Sequence, residues 1–268
     1  MRLLTVFISV ILVTAVNADE PKSFNPADVT EAASHMETIP EYDKLENGDV
    51  YLVRLLYDLD WAEGKYSVSG ELPVGKIKMD DGSESSGIGD IRTRFFWKFY
   101  DAPKSRLANM VFNLDVFLPT GDSDEGLGQG TFVISPGVIF ALPINNRFTI
   151  YPNPKYKFST SKTEGRSSAF PPGKTPIPGR DEEEFINAFA FEVPFVYEFP
   201  DYNAWVFVAP IYEVDFEPEP DEENYELTLR GQVGKMFGRW GLGFEGTTFV
   251  AGEKSQDFQI KLLHYYYF

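Results

Sequence analysis

The chain has 268 residues, enough for one large domain or two small ones. It contains no cysteine, which excludes a disulfide framework, a thiolate metal site and a cysteine nucleophile. Its formal net charge of −17 argues against nucleic acid as a partner, because a phosphate backbone demands a basic footprint.

Residues 1–18 read as a signal peptide. Arg2 is the positive start, "LLTVFISVILVTAV" the apolar run, and Val16-Asn17-Ala18 a small-residue cleavage site. An uncleaved anchor is the alternative, but the run is short for a spanning helix and Asp19 and Glu20 follow it. After Ala18 no apolar stretch approaches the ~20 residues a membrane helix needs. Residues 19–48 read as an N-terminal extension, periplasmic or plug-like, that can include the first strand. A short helix is predicted from Asn25 to Glu37, with Asn25 as cap, Pro26 in the first turn and an alanine-rich continuation.

From about Val50 the apolar period is two. In "VRLLYDLDW", Val53, Leu55, Tyr57, Leu59 and Trp61 share one face, while Arg54 and Asp58 share the other. "DIRTRFFWKF", "FNLDVFL", "RFTIYPNPKYKF" and "FINAFAFEVPFVYEF" repeat the pattern. These strands run to about ten residues, the length a tilted strand needs to cross a bilayer. About eleven are counted, starting near residues 51, 65, 89, 109, 131, 147, 184, 204, 225, 240 and 257. Single-chain bacterial barrels have even strand numbers, so one more is predicted before Val50, near "ETIPEYDKLENG", giving about 12. The fold class is therefore all-β: an up-and-down antiparallel transmembrane barrel over residues 49–268.

The links support that reading. Short ones ("AEG", "YDAPKSR", "PINN", "PDYN", "FGR") alternate with longer ones, as periplasmic turns alternate with outer loops. Trp61, Trp97, Trp205 and Trp240 each lie beside a short link, which predicts an aromatic girdle at the periplasmic face together with Tyr266 and Phe268. The chain ends "FQIKLLHYYYF", with an apolar set at Phe258, Ile260, Leu262, His264 and Tyr266. The final Tyr-x-Phe resembles the C-terminal signal of bacterial outer-membrane barrels, which the barrel-assembly machinery reads.

Chemistry-bearing motifs are sparse. The two histidines, His35 and His264, have no catalytic or ligating companions in the sequence, so neither a hydrolase nor a metal site is expected. "GSESSGIGDIR" and "GLGQG" lack the Lys-Ser or Lys-Thr of a phosphate loop, so no cofactor is expected. Acidic runs at 80–81, 122–125, 181–184 and 217–223 fall in the long links, as solvated loop tips or as sites for cations bridging to lipopolysaccharide. The lumen-facing set is Arg54, Asp58, Arg92, Arg94, Lys98, Asp115, Lys155, Lys157, Glu192, Glu226, Arg230 and Lys261. It is more basic than acidic, against the sign of the whole chain, which favours a solute pathway over a balanced plug.

Gly87-Ile88-Gly89-Asp90, Leu118 to Asp122, Gly126 to Gly130 and Ser135-Pro136-Gly137 resemble motifs of the outer-membrane transporter family named for the MetA pathway of phenol degradation. The resemblance spans Gly48 to Phe268. It implies a barrel that moves small, often hydrophobic organic compounds, and it assigns no site residue. The expectation is a passive outer-membrane channel for small solutes, possessing no enzyme activity and embedded among outer-membrane lipid and lipopolysaccharide. Two other readings stay open at this stage: a closed barrel with a structural or surface-binding role, and a soluble β-sandwich.

Overall fold

The computed structural model describes residues 27–45, 48–102, 104–123, 125–162, 185–216, 224–252 and 257–268. The expected signal peptide, Asp124 and the acidic runs 181–184 and 217–223 lie outside them. The strands are β1 (His35–Leu45), β2 (Gly48–Trp61), β3 (Tyr66–Met79), β4 (Glu84–Ile88), β5 (Ile91–Asp101), β6 (Asn109–Leu118), β7 (Val133–Asn145), β8 (Phe148–Ile150), β9 (Asn153–Ser159), β10 (Asn187–Glu192), β11 (Phe195–Phe199), β12 (Ala204–Asp215), β13 (Tyr225–Phe237), β14 (Trp240–Gly252) and β15 (Phe258–Tyr267). A single 3-10 turn, Pro200–Tyr202, is the only helix among the described residues.

Every pairing is antiparallel and the sheet closes on itself. The fifteen elements make a 12-stranded barrel, because β4 and β5, β8 and β9, and β10 and β11 are each one barrel strand interrupted once. Proline explains two of the interruptions. Tyr151-Pro152 and Val193-Pro194 separate their strand halves, and a proline cannot donate to the ladder. The backbone there is satisfied by local bonds instead, Tyr151 N–H to Pro194 O at 2.9 Å and Val193 N–H to Pro210 O at 3.1 Å.

The closing seam joins the first strand to the last. Glu41 lies opposite Lys261 and Tyr42 opposite Ile260. The final amide is also held, by Ser34 O at 3.3 Å. Closure leaves no free edge, the condition for a sheet to sit in hydrocarbon. Outward positions carry Val, Leu, Ile, Phe and Tyr throughout, exposed on the isolated barrel. Two aromatic girdles bound this belt. At one rim Trp61 stacks on Tyr66, Trp240 packs on Tyr266 at 4.5 Å, and Tyr57 stacks on Phe268. At the other, Tyr42 meets Tyr51 and Phe258, and Tyr212 meets Tyr225. On β2 the girdles are Tyr51 and Trp61, about 33 Å apart at ~3.3 Å per residue. A tilt of about 40° makes that roughly 25 Å, the height of the apolar band of a bacterial barrel.

The N-terminal expectation is corrected. Residues 27–34 form a turn and extended chain, with no helix, and the strand expected near 37–48 is present as β1 from His35. Asp28 accepts from Thr30 N–H at 2.8 Å and Thr30 Oγ1 at 2.6 Å, a local turn that competes with helix formation. From His35 on, the backbone pairs with β2 on one side and β15 on the other. That ladder outcompetes the helical propensity of a short alanine-rich stretch.

Candidate functional site

The lumen has three layers, and the middle one is charged. Strand alternation turns Glu41 of β1, Arg54 of β2, Glu71 of β3, Arg92 and Arg94 of β5, and Asp115 of β6 inward. Arg54 grips both oxygens of Glu41, Nε to Oε2 at 2.7 Å and Nη2 to Oε1 at 2.9 Å, and donates Nη1 to Glu71 Oε1 at 2.8 Å. Arg92 then bridges Glu71 at 3.6 Å and Asp115 at 2.8 Å, and Arg94 closes on Asp115 at 2.8 Å. In the other direction Lys261 joins Glu41 at 3.9 Å to Glu245 at 3.2 Å. Arg230 continues the chain from Glu245 to Glu192. An ion-pair belt thus runs most of the way around the bore. Charges removed from water need such partners.

The sequence set is placed as follows. Arg54, Arg92, Arg94, Asp115, Glu192, Arg230 and Lys261 lie in the belt. Lys157 pairs with Glu213 at 2.8 Å beside it. Lys155 faces the belt's gap on β9, Asp58 accepts from Ser67 at 3.5 Å, Lys98 sits next to a register shift near the short-turn rim, and Glu226 lies on β13 near the long-link end. The sequence reading missed the acids Glu41, Glu71, Glu213 and Glu245. Their inclusion removes the basic excess seen in the set. A signal for Glu245 existed: it shares an alternation with Gly241, Gly243 and Thr247 on β14, all buried or hidden by small neighbours. Glu41 lies in the segment where the first strand was expected without a register, so no inward face was assigned to it.

The second layer caps the long-link end. The described residues of the link between β6 and β7 turn inward, and Leu127 inserts among Leu45, Val50, Leu52, Ile77 and Met79. Asp90 organises it. Its carboxylate accepts from the N–H groups of Thr120 at 3.1 Å, Gly121 at 2.9 Å and Gln129 at 2.8 Å. Thr120 Oγ1 accepts from Ile91 N–H at 2.8 Å, tying the link to β5. A Cβ on Gly121 would stand 2.3 Å from Leu127 O, so glycine is required for the fold-back. The motifs Gly89-Asp90, Leu118 to Asp122 and Gly126 to Gly130 are therefore one structural unit. Hydrogen bonds to a charged acceptor contribute about 1.5–3 kcal/mol each. Asp90→Ala is expected to free the link while leaving the barrel folded. Limited proteolysis should cut between 119 and 132 in the variant and spare the wild type; equal protection of both would contradict this role.

The third layer fills the short-turn end. Ala27, Ala32 and Ala33 of the N-terminal segment pack among Ile39, Phe96, Val111, Ile139, Ala141, Val196, Phe207, Leu263 and Tyr265. These residues come from strands on opposite sides of the barrel, so the segment crosses the bore. Thr30 is fully buried and accepts from Asn109 Nδ2 at 2.9 Å. Ser34 binds Asp60 Oδ1 through its N–H at 2.8 Å and its Oγ at 2.6 Å. His35 is held nearby, between Ala33 O at 2.7 Å and Glu37 Oε1 at 2.8 Å.

Three of the four predicted girdle tryptophans point outward: Trp61, Trp97 and Trp240 are 46%, 40% and 51% exposed. Trp205 is corrected. It is 4% exposed and turned into the lumen, edge-on to Tyr265. Gly234 on the neighbouring strand makes room, since a Cβ there would stand 2.1 Å from the indole. With the Gln232 amide oxygen turned inward, it accepts from Trp205 Nε1 at 3.1 Å and Tyr265 Oη at 3.2 Å. His264 is outward and stacks on Trp240. Among the described residues no group of His, Asp and Glu is arranged to hold a metal ion.

Comparison with known proteins agrees with this architecture. The family model described as "Putative MetA-pathway of phenol degradation" matches residues 46–201, more than half the chain. Among curated proteins none matches. Among solved structures, an outer membrane channel from Pseudomonas putida F1 superposes with TM-score 0.68 at 12% identity, covering 92% of this chain and 100% of that one. The NanC porin superposes with TM-score 0.58 at 7% identity, covering 88% and 100%. The KdgM porin gives 0.54 at 9% identity, covering 87% and 99%. At these identities the likeness shows the fold, that of outer-membrane channels and porins.

Proposed function

The chain belongs to the MetA-pathway phenol-degradation family, and from that membership we propose that it is a bacterial outer-membrane channel for passive passage of small, hydrophobic or aromatic solutes. The observation that carries the reading is a closed barrel with an apolar exterior and a charged, inward-facing belt. Such a belt tunes selectivity in aqueous pores. Aromatic and cationic groups alternate along the wall: Arg92 lies over Phe117 and Arg230 over Phe207 at 5.6 and 5.3 Å. That pairing suits flat organic solutes, which use ring faces as well as polar edges. The channel reading requires the packed N-terminal segment to leave the bore during passage. A second reading, a closed barrel with a structural or surface-binding role, is favoured by that same segment in its seated position. Proposed partners are outer-membrane lipid and lipopolysaccharide around the barrel, and the barrel-assembly machinery through β15.

Single-channel recording in a planar bilayer separates the two. Wild type is compared with Arg92→Ala/Arg94→Ala and with a chain refolded from Ser34 onward. Conductance whose ion selectivity shifts in the double variant supports the channel. Correctly inserted barrels that never conduct, with or without the N-terminal segment, overturn it.

A further inference from the structure

The N-terminal segment enters the wall at a histidine. Ala33 packs in the third layer, Ser34 bridges to Asp60, and His35 opens β1. The imidazole folds back over this junction. Its Nδ1 lies 2.7 Å from the Ala33 carbonyl oxygen and its Nε2 2.8 Å from Glu37 Oε1. Ring and carboxylate are largely withdrawn from solvent, with side chains 13% and 14% exposed.

Both partners are acceptors. A backbone carbonyl has no proton to give, and neither has an ionised carboxylate. A neutral imidazole carries one N–H and satisfies one of them, whereas the imidazolium satisfies both. The seated pair therefore holds one more proton than a neutral histidine beside an ionised glutamate, and the two groups share it. The surroundings suit that proton. Asp58 of β2 stands opposite His35 on one side, and Tyr267 of β15 on the other, its ring 5.1 Å away. Glu37 and Asp58 thus stand by the ring as counter-charges. Asp58 is bonded by Ser67 of β3, and Arg94 of β5 bears on it in turn. Asp60, two residues on, is engaged by Ser34 through N–H and Oγ.

We propose that His35 and Glu37 form a proton-operated latch: one shared proton fastens the N-terminal segment across the bore, and its loss loosens the segment. Displacing the segment takes the Ala33 carbonyl away from Nδ1, and the need for a second N–H goes with it. The seated state thus binds more protons than the displaced one, so seating weakens as pH rises. An unperturbed imidazole titrates near ~6.5, so the hold is complete below about that pH and declines above it. The barrel is occluded in acid and freer at higher pH. The inference rests on the channel reading for its use as a gate, while the seated segment alone suffices to test it.

The test is hydrogen exchange of the 27–34 backbone in the detergent-refolded barrel, read by mass spectrometry at about pH 5.5 and about pH 8, either side of the imidazole range. Each rate is divided by that of the same chain unfolded in urea at the same pH. Wild type should be protected several-fold more at the lower pH. His35→Gln, which cannot take up the proton, should give equal protection at both. Glu37→Gln should also lose the dependence, but by staying protected at the higher pH, because its amide donates to a neutral Nε2 and lets Nδ1–H keep the Ala33 carbonyl. His264→Gln, at the outward ring stacked on Trp240, should leave the wild-type dependence unchanged. Equal wild-type protection at both pH values, stronger protection at the higher one, or a dependence that survives in His35→Gln overturns the latch. If His35→Gln does not refold, Glu37→Gln decides: a dependence retained there, or protection lost at both pH values, overturns it. If neither refolds, a wild-type dependence that disappears in His264→Gln overturns it, and one that persists there supports it. Exchange is read without conduction. A barrel whose segment loosens with pH but never conducts sinks the channel and keeps the latch, and one that conducts while exchange ignores pH does the reverse.

Discussion

A barrel refolded from a chain that starts at Ser34 is expected to conduct several-fold better than the barrel that retains residues 27–33. The segment crosses the bore in the structure, and its own contribution to the packed layer is three alanines. Alanine buries little area, so the hydrophobic term that holds it is small, at about 25 cal/mol per Å². Its polar anchors include the Thr30–Asn109 bond and the Ser34–Asp60 pair. Each contributes about 0.5–1.5 kcal/mol net. The barrel wall, by contrast, is a continuous ladder whose opening requires many bonds to break together. Local displacement of the segment therefore lies at the low-energy end of this protein's motions. The chain has no cysteine, which allows a clean lock. Thr30→Cys/Asn109→Cys should hold the bore shut when oxidised and release it on reduction. Unchanged conductance in the truncated barrel would mean that the segment does not obstruct passage, and an oxidised pair that conducts freely would say the same.

The same segment shows where sequence reasoning stops. Outward parity along β2, β5, β6 and β15 was legible, because lipid accepts only apolar side chains and every other residue obeys. The barrel and the closing role of the last strand followed from that. Residues 25–34 offered an asparagine cap, a proline in the first turn and an alanine-rich run, a local signal that says helix. The contacts that decide their conformation come from strands far along the chain, 79 positions away for Asn109 and Thr30 and farther still for Leu263 and Tyr265. Trp205 was legible and was misjudged. It shares a face with Glu213, so alternation placed it inside, but its nearness to a short link suggested a girdle. Asp90 illustrates a third case. Its motif was visible, yet its purpose was not, since the three N–H groups that it collects come from 30 to 39 residues further on. The interrupted strands are intermediate: prolines at 152 and 194 announce breaks, but only closure shows that both halves still belong to one barrel strand.

The largest stability loss is expected from Glu41→Leu. Glu41 has a fully buried side chain and sits on β1 at the seam with β15. It accepts two bonds from Arg54 and one from Gln259 Nε2 at 3.2 Å, and it faces Lys261 at 3.9 Å. Replacing it leaves two cations in the lumen with one acid fewer. Breaking a buried pair from one side costs about 3–5 kcal/mol, chiefly as the desolvation of the charge left behind. Arg54 keeps Glu71 and Lys261 keeps Glu245, which places the loss toward the lower end of that range. The check is the urea midpoint of the gel-mobility shift between folded and unfolded barrel. Glu41→Leu/Arg54→Leu should lose less than the two single variants together, because the double variant removes the orphaned guanidinium. Additive losses would mean that the pair contributes no coupling and that the belt is a set of independent charges. Sub-additive losses would mean that it is a connected network.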